Sequence, residues 1–314
     1  MPTPLRLIFM GTPDFAVPSL EILLTMPEAR VVAVVTGPDR PAGRGRQLQA
    51  SAVKLAALAH GLPVLQPTNL KSAEFQAELR GYAADLQVVV AFRMLPEAVW
   101  NMPRLGSVNI HGSLLPQYRG AAPINWALMH GDTETGVTSF FLRHEIDTGD
   151  LILQDRLAIE PSDDFGAVYD KLKVVGADLA RRTVAAIAAG IAPSTPQANP
   201  PDLRAAPKLT KETGRLDFGR PAAELVNHVR GLAPAPAAYT TLPDGRGLKV
   251  LRAQALPLGV GAEASGAPGT WATDGRQYLR VQTASGWLDL LEIQPEGKKR
   301  MTTADFLRGA KLFF

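Results

Sequence analysis

The segment of this chain richest in potential chemistry is Gly106–Pro123, GSVNIHGSLLPQYRGAAP. Side chains alternate along a strand, so Asn109 and His111 share one side while Val108 and Ile110 face the other. The strand pattern breaks at Gly112, which places Asn109 and His111 at a carboxyl end, where open α/β sheets bind ligands. An amide donor beside an imidazole suits acyl transfer, because the amide can stabilise a developing oxyanion while the imidazole moves a proton. On these residues alone a hydrogen-bonded structural histidine, with Asn109 as a turn amide, explains the pattern better. A second segment, GVTSFFLRHEIDTGDLI at 136–152, carries a strand at Val137–Leu142 and then the polar turn Asp147-Thr148-Gly149-Asp150. A carboxylate from that turn could orient His111; Asp147 and Asp150 could equally be turn residues that bond their own backbone. His144 and Glu145 are adjacent and read as surface or hinge residues. His60, His130 and His228 lack metal-ligand spacing, and no H-E-x-x-H occurs, so no metal is expected.

Those segments need a frame. Leu5–Met10, Val31–Thr36, Leu86–Ala91 and Ser107–His111 are short apolar or β-branched runs, and Ser19–Leu24, Ala52–His60 and Phe165–Ala189 are helical, the last two stopping at Gly61 and Gly190. Continuous apolar strands alternating with helices imply a mostly parallel sheet covered on both faces. The first strand-to-helix turn, Gly11-Thr12-Pro13-Asp14-Phe15, is not G-x-G-x-x-G, and Pro13 removes a donor that a pyrophosphate would need. No G-x-x-x-x-G-K-[ST] occurs either. A dinucleotide dehydrogenase and a P-loop enzyme are therefore disfavoured.

Residues 191–207, with five prolines, cannot continue a helix or sit inside a sheet and read as an extended linker. Beyond it come a short helix, Pro221–Gly231, and brief strands at Gly247–Ala255, Gly269–Ala272, Tyr278–Thr283 and Trp287–Gln294, the pattern of a small barrel or sandwich. The expected organisation is a domain over 1–190, a linker over 191–207 and a second domain over 208–314. With 314 residues and 46% hydrophobic content the chain can bury a real core, and no apolar run is long enough to span a membrane. No signal peptide is read, and the absence of cysteine excludes a disulfide scaffold, an iron–sulfur site and a thiol nucleophile. Charge is uneven: residues 1–200 hold 17 Lys+Arg against 19 Asp+Glu, whereas residues 201–314 hold 16 against 11. The basic C-terminal third could meet a polyanion, although a solvated surface explains the same excess.

The motifs NIHGSLLPQYRGAAPI at 109–124, ETGVT at 134–138 and IDTGD at 146–150 resemble those of the folate-dependent formyltransferases. The resemblance covers nearly the whole chain, through FMGTPDFAV at 9–17, PDRPAGRGR at 38–46, APKLTKETGRLDF at 206–218 and PEGKKRM at 295–301. The last three narrow it to members that formylate an initiator tRNA. It implies a Rossmann-like, mostly parallel sheet followed by an OB-like small β-barrel that helps dock tRNA. It implies 10-formyltetrahydrofolate as cosubstrate and the α-amino group of methionine on initiator tRNA as acceptor, in a cytoplasmic enzyme that need be no more than a monomer. Asn109, His111 and Asp147 match the catalytic trio, and Ser113, Leu114, Leu115 and Pro116 the folate-lining stretch. Arg40, Arg44 and Arg46 match a loop that reaches the tRNA acceptor end, and Phe15 a residue near the methionyl group. Phe92, Arg93, Met94 and Leu95 fall beside the pterin, where many members read Tyr-Gly. Lys208 and the triplet Lys298, Lys299 and Arg300 are phosphate-contact candidates on the basic module. At 233–238 the chain reads Ala-Pro-Ala-Pro-Ala-Ala, without the aromatic common there. The rival reading is a formyltransferase of the same architecture acting on an amino-sugar nucleotide; the Arg loop and the basic C-terminal third separate the two.

Overall fold

The computed structural model describes residues 3–42, 47–257 and 266–309. The chain divides into two compact units: Met1–Gly120, Thr135–Leu157 and Tyr169–Ala205 in the first, Ala121–Glu134, Ala158–Val168 and Ala206–Phe314 in the second.

The first unit is built on a seven-stranded sheet. Its strands are β1 (Leu5–Gly11), β2 (Ala29–Val35), β3 (Val64–Leu65), β4 (Leu86–Val90), β5 (Ser107–His111), β6 (Glu134–Phe141) and β7 (Leu151–Ala158), in the order β7-β6-β5-β4-β1-β2-β3. The pairs β1–β2, β1–β4, β4–β5 and β2–β3 are parallel, and β5–β6 is antiparallel. β4 is buried at every position and β1 at all but one, as continuous apolar runs require of central strands. Beyond buried Ile152, β7 alternates half-buried and exposed residues, the mark of an edge strand with one wet face. The unit's longer helices are α1 (Val17–Leu24), α2 (Ala52–Ala59), α3 (Ala73–Gly81) and α4 (Phe165–Ala188). Ser51 Oγ accepts from the Lys54 N–H and Ser72 Oγ from the Phe75 N–H, satisfying donors that α2 and α3 would otherwise leave unmet. Gly61 and Gly190, at φ +65° and +70°, take the left-handed turn that ends α2 and α4. The chain runs outward from β1 through β2 to β3, then returns to the other side of β1 as β4. The switch point lies between the carboxyl ends of β1 and β4.

The second unit carries a six-stranded antiparallel sheet: β8 (Ala238–Thr241), β9 (Gly247–Leu256), β10 (Trp271–Thr273), β11 (Leu279–Gln282), β12 (Trp287–Pro295) and β13 (Met301–Thr302). The order is β8-β9-β12-β11-β10, with β13 paired to β12. β9 to β12 fall on the four brief strands that the sequence marks for the OB-like barrel, and β8 and β13 add to them. The helices α5 (Ala222–Leu232) and α6 (Thr303–Gly309) contribute Leu225, Val229, Leu232, Phe306 and Leu307 to a core shared with Leu248, Val250, Leu279, Leu288 and Ile293. Among the described residues no helix is long and apolar enough to cross a membrane.

Candidate active site

β5 delivers Asn109 and His111 to one face at its carboxyl end. Asn109 sits in register with Val89 on β4 and Phe140 on β6, and His111 with Thr138 on β6. His111 is buried, and its Nε2–H donates to the Tyr118 carbonyl at 2.9 Å. The other ring nitrogen, Nδ1, lies 3.7 Å from Asp147 Oδ2. The ring edge meets Phe140, with centroids 6.5 Å apart and planes at 80°. Asp147 has φ +54°, an uncommon left-handed conformation that Asp tolerates better than most residues, and its Oδ2 also accepts the Gly120 N–H at 2.9 Å. The residue behind it admits no side chain: a Cβ at Gly149 would stand 1.6 Å from the Phe141 carbonyl oxygen. The turn 147–150 is thus pressed against the end of β6. In sequence the three polar groups lie on two separate segments; the fold brings Asp147 to His111, beside which Asn109 stands on the same strand face.

The loop leaving β5 is held just as closely. Thr138 Oγ1 donates to the Ser113 carbonyl at 2.6 Å and accepts the Leu115 N–H at 3.1 Å. Gln154 Nε2 donates to the Leu115 carbonyl and to Thr138 Oγ1, at 2.8 and 2.9 Å. Ser113 Oγ donates to the Gln117 carbonyl at 2.6 Å. Ser113 and Leu115 are buried, while Leu114 and Pro116 are half-buried. Leu114 lies where a Cβ on Gly136 would come within 2.5 Å of its Cδ2, so Gly136 makes room for it. Thr138 and Gln154 were not singled out from the sequence. Gln154 has no sequence signal, because its strand lacks an apolar run.

The other expected residues distribute as follows. Phe15 is buried, its backbone N–H donating to Tyr169 Oη at 3.0 Å and its ring edge-on to the Tyr169 ring at 5.1 Å. Tyr169 Oη donates in turn to Asp14 Oδ1 at 2.7 Å, and burial together with that carboxylate pushes the phenol well above its ordinary range. Leu95 belongs to the hydrophobic core with Met10, Val89 and Val99, so it supports the β4 carboxyl end from behind. Phe92 packs on that core from the edge, and Arg93 donates to the Thr68 and Pro67 carbonyls. Met94 is exposed. Arg40 is exposed on a short strand, Arg40–Ala42, paired antiparallel with Gln47–Gln49; Arg44 and Arg46 lie outside the described residues. The foot of that loop is anchored by Asp39, whose carboxyl group is held below its ordinary range by hydrogen bonds from Lys54 and Gln66. Lys208 is exposed, and so are Lys298, Lys299 and Arg300 between β12 and β13, where Arg300 pairs with Glu292. Among the described residues no group of three or more His, Asp or Glu is placed to hold a metal ion.

Comparison with known proteins identifies the family. Residues 5–184 match the formyl transferase family and residues 208–311 its C-terminal domain. A methionyl-tRNA formyltransferase of Bacteroides fragilis is 51% identical over 315 residues, covering 98% of this chain and 96% of its own length. Among solved structures, an N-formyltransferase from Helicobacter canadensis, in complex with folinic acid and dTDP-3-aminofucose, superposes with TM-score 0.67 at 17% identity, over 95% of this chain and 100% of that one. HypX from Aquifex aeolicus in complex with tetrahydrofolic acid gives TM-score 0.62 at 19% identity, over 97% of this chain and 47% of that one. Those two likenesses are of fold, whereas the Bacteroides protein matches from end to end at half its positions. The chain belongs to the formyltransferase family, among the methionyl-tRNA formyltransferases.

Proposed function

We propose that the chain transfers a formyl group from 10-formyltetrahydrofolate to the α-amino group of methionine esterified to initiator tRNA, in the cytoplasm. The observation that carries the reading is the His111–Asp147 pair at the carboxyl end of β5, beside Asn109, in a chain whose relatives of that name match it over nearly full length. The surroundings suit a reduced folate. Half-buried Leu114 and Pro116 offer an apolar wall for a pteridine, and Asn109 and His111 put polar groups next to it. That cosubstrate, when bound, supplies the activated formyl carbon on N10.

The residues of the chain then act as follows. The Asn109 amide donates to the formyl oxygen as negative charge builds there. His111 already gives its Nε2 proton to Tyr118, so in the neutral ring the lone pair sits on Nδ1. The proton leaving the attacking amine is taken at Nδ1, beside the Asp147 carboxylate that balances the imidazolium charge, and is passed to the departing folate nitrogen. The turn 147–150 and the loop 113–116 hold these groups in place before substrate arrives. Residues 208–314 form the module that docks tRNA, joined to the catalytic domain through 191–207. Lys208, Lys298 and Lys299 meet phosphates, and the loop bearing Arg40, Arg44 and Arg46 reaches the acceptor end.

The test is transfer of labelled formyl to purified aminoacylated initiator tRNA. Uncharged initiator tRNA, charged elongator tRNA and a dTDP-amino sugar serve as rival acceptors. Product on the charged initiator alone supports the reading. Transfer to the sugar nucleotide and none to tRNA would replace it with the alternative, which shares the fold but has no use for the excess of 16 basic over 11 acidic residues in 201–314.

A further inference from the structure

The proline-rich stretch read as a linker carries one side chain that touches the candidate site twice. Gln197 Nε2 donates to the Asp147 carbonyl and to the Gly149 carbonyl, both at 2.8 Å. Its Oε1 accepts from Arg119 Nε and Nη2, at 3.1 and 2.7 Å. Nearby, Thr195 exchanges backbone hydrogen bonds with Leu151, and Ser194 Oγ donates to Asp150 Oδ2 at 2.9 Å. The stretch is therefore laid along the turn 147–150 and the start of β7.

The position of Arg119 gives the arrangement its meaning. Its predecessor, Tyr118, supplies the carbonyl that holds His111 Nε2, and its successor, Gly120, supplies the N–H that holds Asp147 Oδ2. Tyr118 stands at φ +63° and Asp147 at φ +54°, so both partners of the imidazole sit on left-handed backbone that needs outside support. A single amide spans the two segments. All four of its hydrogen bonds go to the backbone of one segment or to the side chain of the other.

We propose that Gln197 is a positioning residue for the His111–Asp147 pair, and that residues 194–197 complete the active site as a strap across the turn 147–150. The claim rests on the formyl-transfer reading above. Removing the amide frees the 147–149 backbone and Arg119 together. Asp147 then loses its fixed approach to His111, and the cost falls on the chemical step while substrate binding is preserved.

Steady-state formyl transfer by Gln197→Ala, Asp147→Asn and the double variant tests this, with thermal unfolding as a check on folding. Gln197→Ala is expected to lower kcat about tenfold or more while leaving KM for tRNA and for folate within about twofold. In the Asp147→Asn background the same change is expected to cost less than about twofold further, because the carboxylate whose approach to His111 it fixes has already gone. Gln197→Glu is nearly isosteric and keeps its acceptor for Arg119. It sets a carboxylate against two carbonyl oxygens, so it is expected to lose at least as much kcat and provides a second folded variant. An activity-free readout runs in parallel: the ring ¹⁵N signals of His111, assigned with His111→Gln, are expected to move in Gln197→Ala. Wild-type kcat in Gln197→Ala, losses that multiply in the double variant, or unmoved His111 signals would each overturn the proposal. A wild-type protein that formylates no tRNA would overturn the functional reading instead, leaving the ¹⁵N measurement to decide the role of Gln197.

Discussion

Asp147 approaches His111 from a left-handed backbone, with Oδ2 3.7 Å from Nδ1 and the same oxygen held by the Gly120 N–H at 2.9 Å. The carboxylate is thus fixed from one side and offered to the imidazole from the other. Asn tolerates the same backbone conformation, so Asp147→Asn removes the charge and keeps the turn. Formyl transfer by this variant is expected to fall by about 10² to 10⁴ in kcat, the usual worth of positioned proton transfer, with a thermal midpoint close to wild type. Steady-state kinetics beside a melting curve measure both; a kcat within threefold of wild type would remove the pair from the chemistry.

Asn109 shares the β5 face with His111, one residue pair closer to the middle of the sheet. The donation to the formyl oxygen proposed for it would make Asn109→Ala a loss in the transition state and not in binding. We expect kcat to drop on the order of 10²- to 10³-fold with KM for the folate little changed. A variant that instead raises KM and spares kcat would make Asn109 a binding group.

Much of this site was open to a reader of the residues alone. Alternation along Ser107–His111 puts 109 and 111 on one face, and the strand runs over those five residues. Asp147 was less legible. It is one of two acids in a polar turn, and only the resemblance singled it out, because nothing local says that the turn folds back on β5. The strand Leu151–Ala158 carries no such signal. Its run Leu-Gln-Asp-Arg-Leu is half polar because β7 is an edge, so it lacks the apolar continuity that marks the central strands. With it went Gln154, which ties down the loop 113–115. Gln197 was hidden for a different reason. Proline content says that residues 191–207 extend, but it is silent on what they lie against.

Gly149 illustrates a requirement of space without one of dihedral angle. Its Cβ would fall 1.6 Å from the Phe141 oxygen and 2.8 Å from the carbonyl carbon, both rigid backbone. Gly149→Ala must therefore push the turn 147–150 away from β6 and carry Asp147 with it. The expected result is a stability loss of about 1–3 kcal/mol by urea unfolding, with a fall in kcat of about 10²-fold. Gly245 provides the contrast, since nothing lies within 4 Å of a Cβ there and any cost of Gly245→Ala comes only from its φ of +89°; that change is expected to leave kcat unaltered.

Binding of tRNA by a module with excess basic charge should be largely electrostatic. The logarithm of the affinity is expected to fall linearly with the logarithm of salt concentration, because each phosphate neutralised releases condensed counterions. Lys298 and Lys299 are exposed between β12 and β13. Replacing both with Ala should flatten the slope by about 2, and filter binding across a salt series measures this. An unchanged slope would move the phosphate contacts elsewhere.

His228 sets an acid limit on the second unit. It is buried on α5, its Nε2 has no hydrogen-bond partner among the described residues, and burial with the nearby Arg220 charge lowers its pKa from 6.5 against an opposing hydrogen bond at Thr213. The folded protein therefore resists a proton that the unfolded chain accepts. As pH falls through about 6.5 the unfolded state binds that proton first, so stability declines until the lower, folded-state pKa is passed; above 6.5 both states are neutral and the penalty vanishes. Urea unfolding at pH 7.5 and 5.5 should show a larger acid loss for the wild type than for His228→Gln, whose side chain cannot titrate. The comparison is between the two pH differences, so any cost of repacking around Gln at a fixed pH cancels. Equal losses in the two proteins would assign the acid sensitivity to groups other than His228.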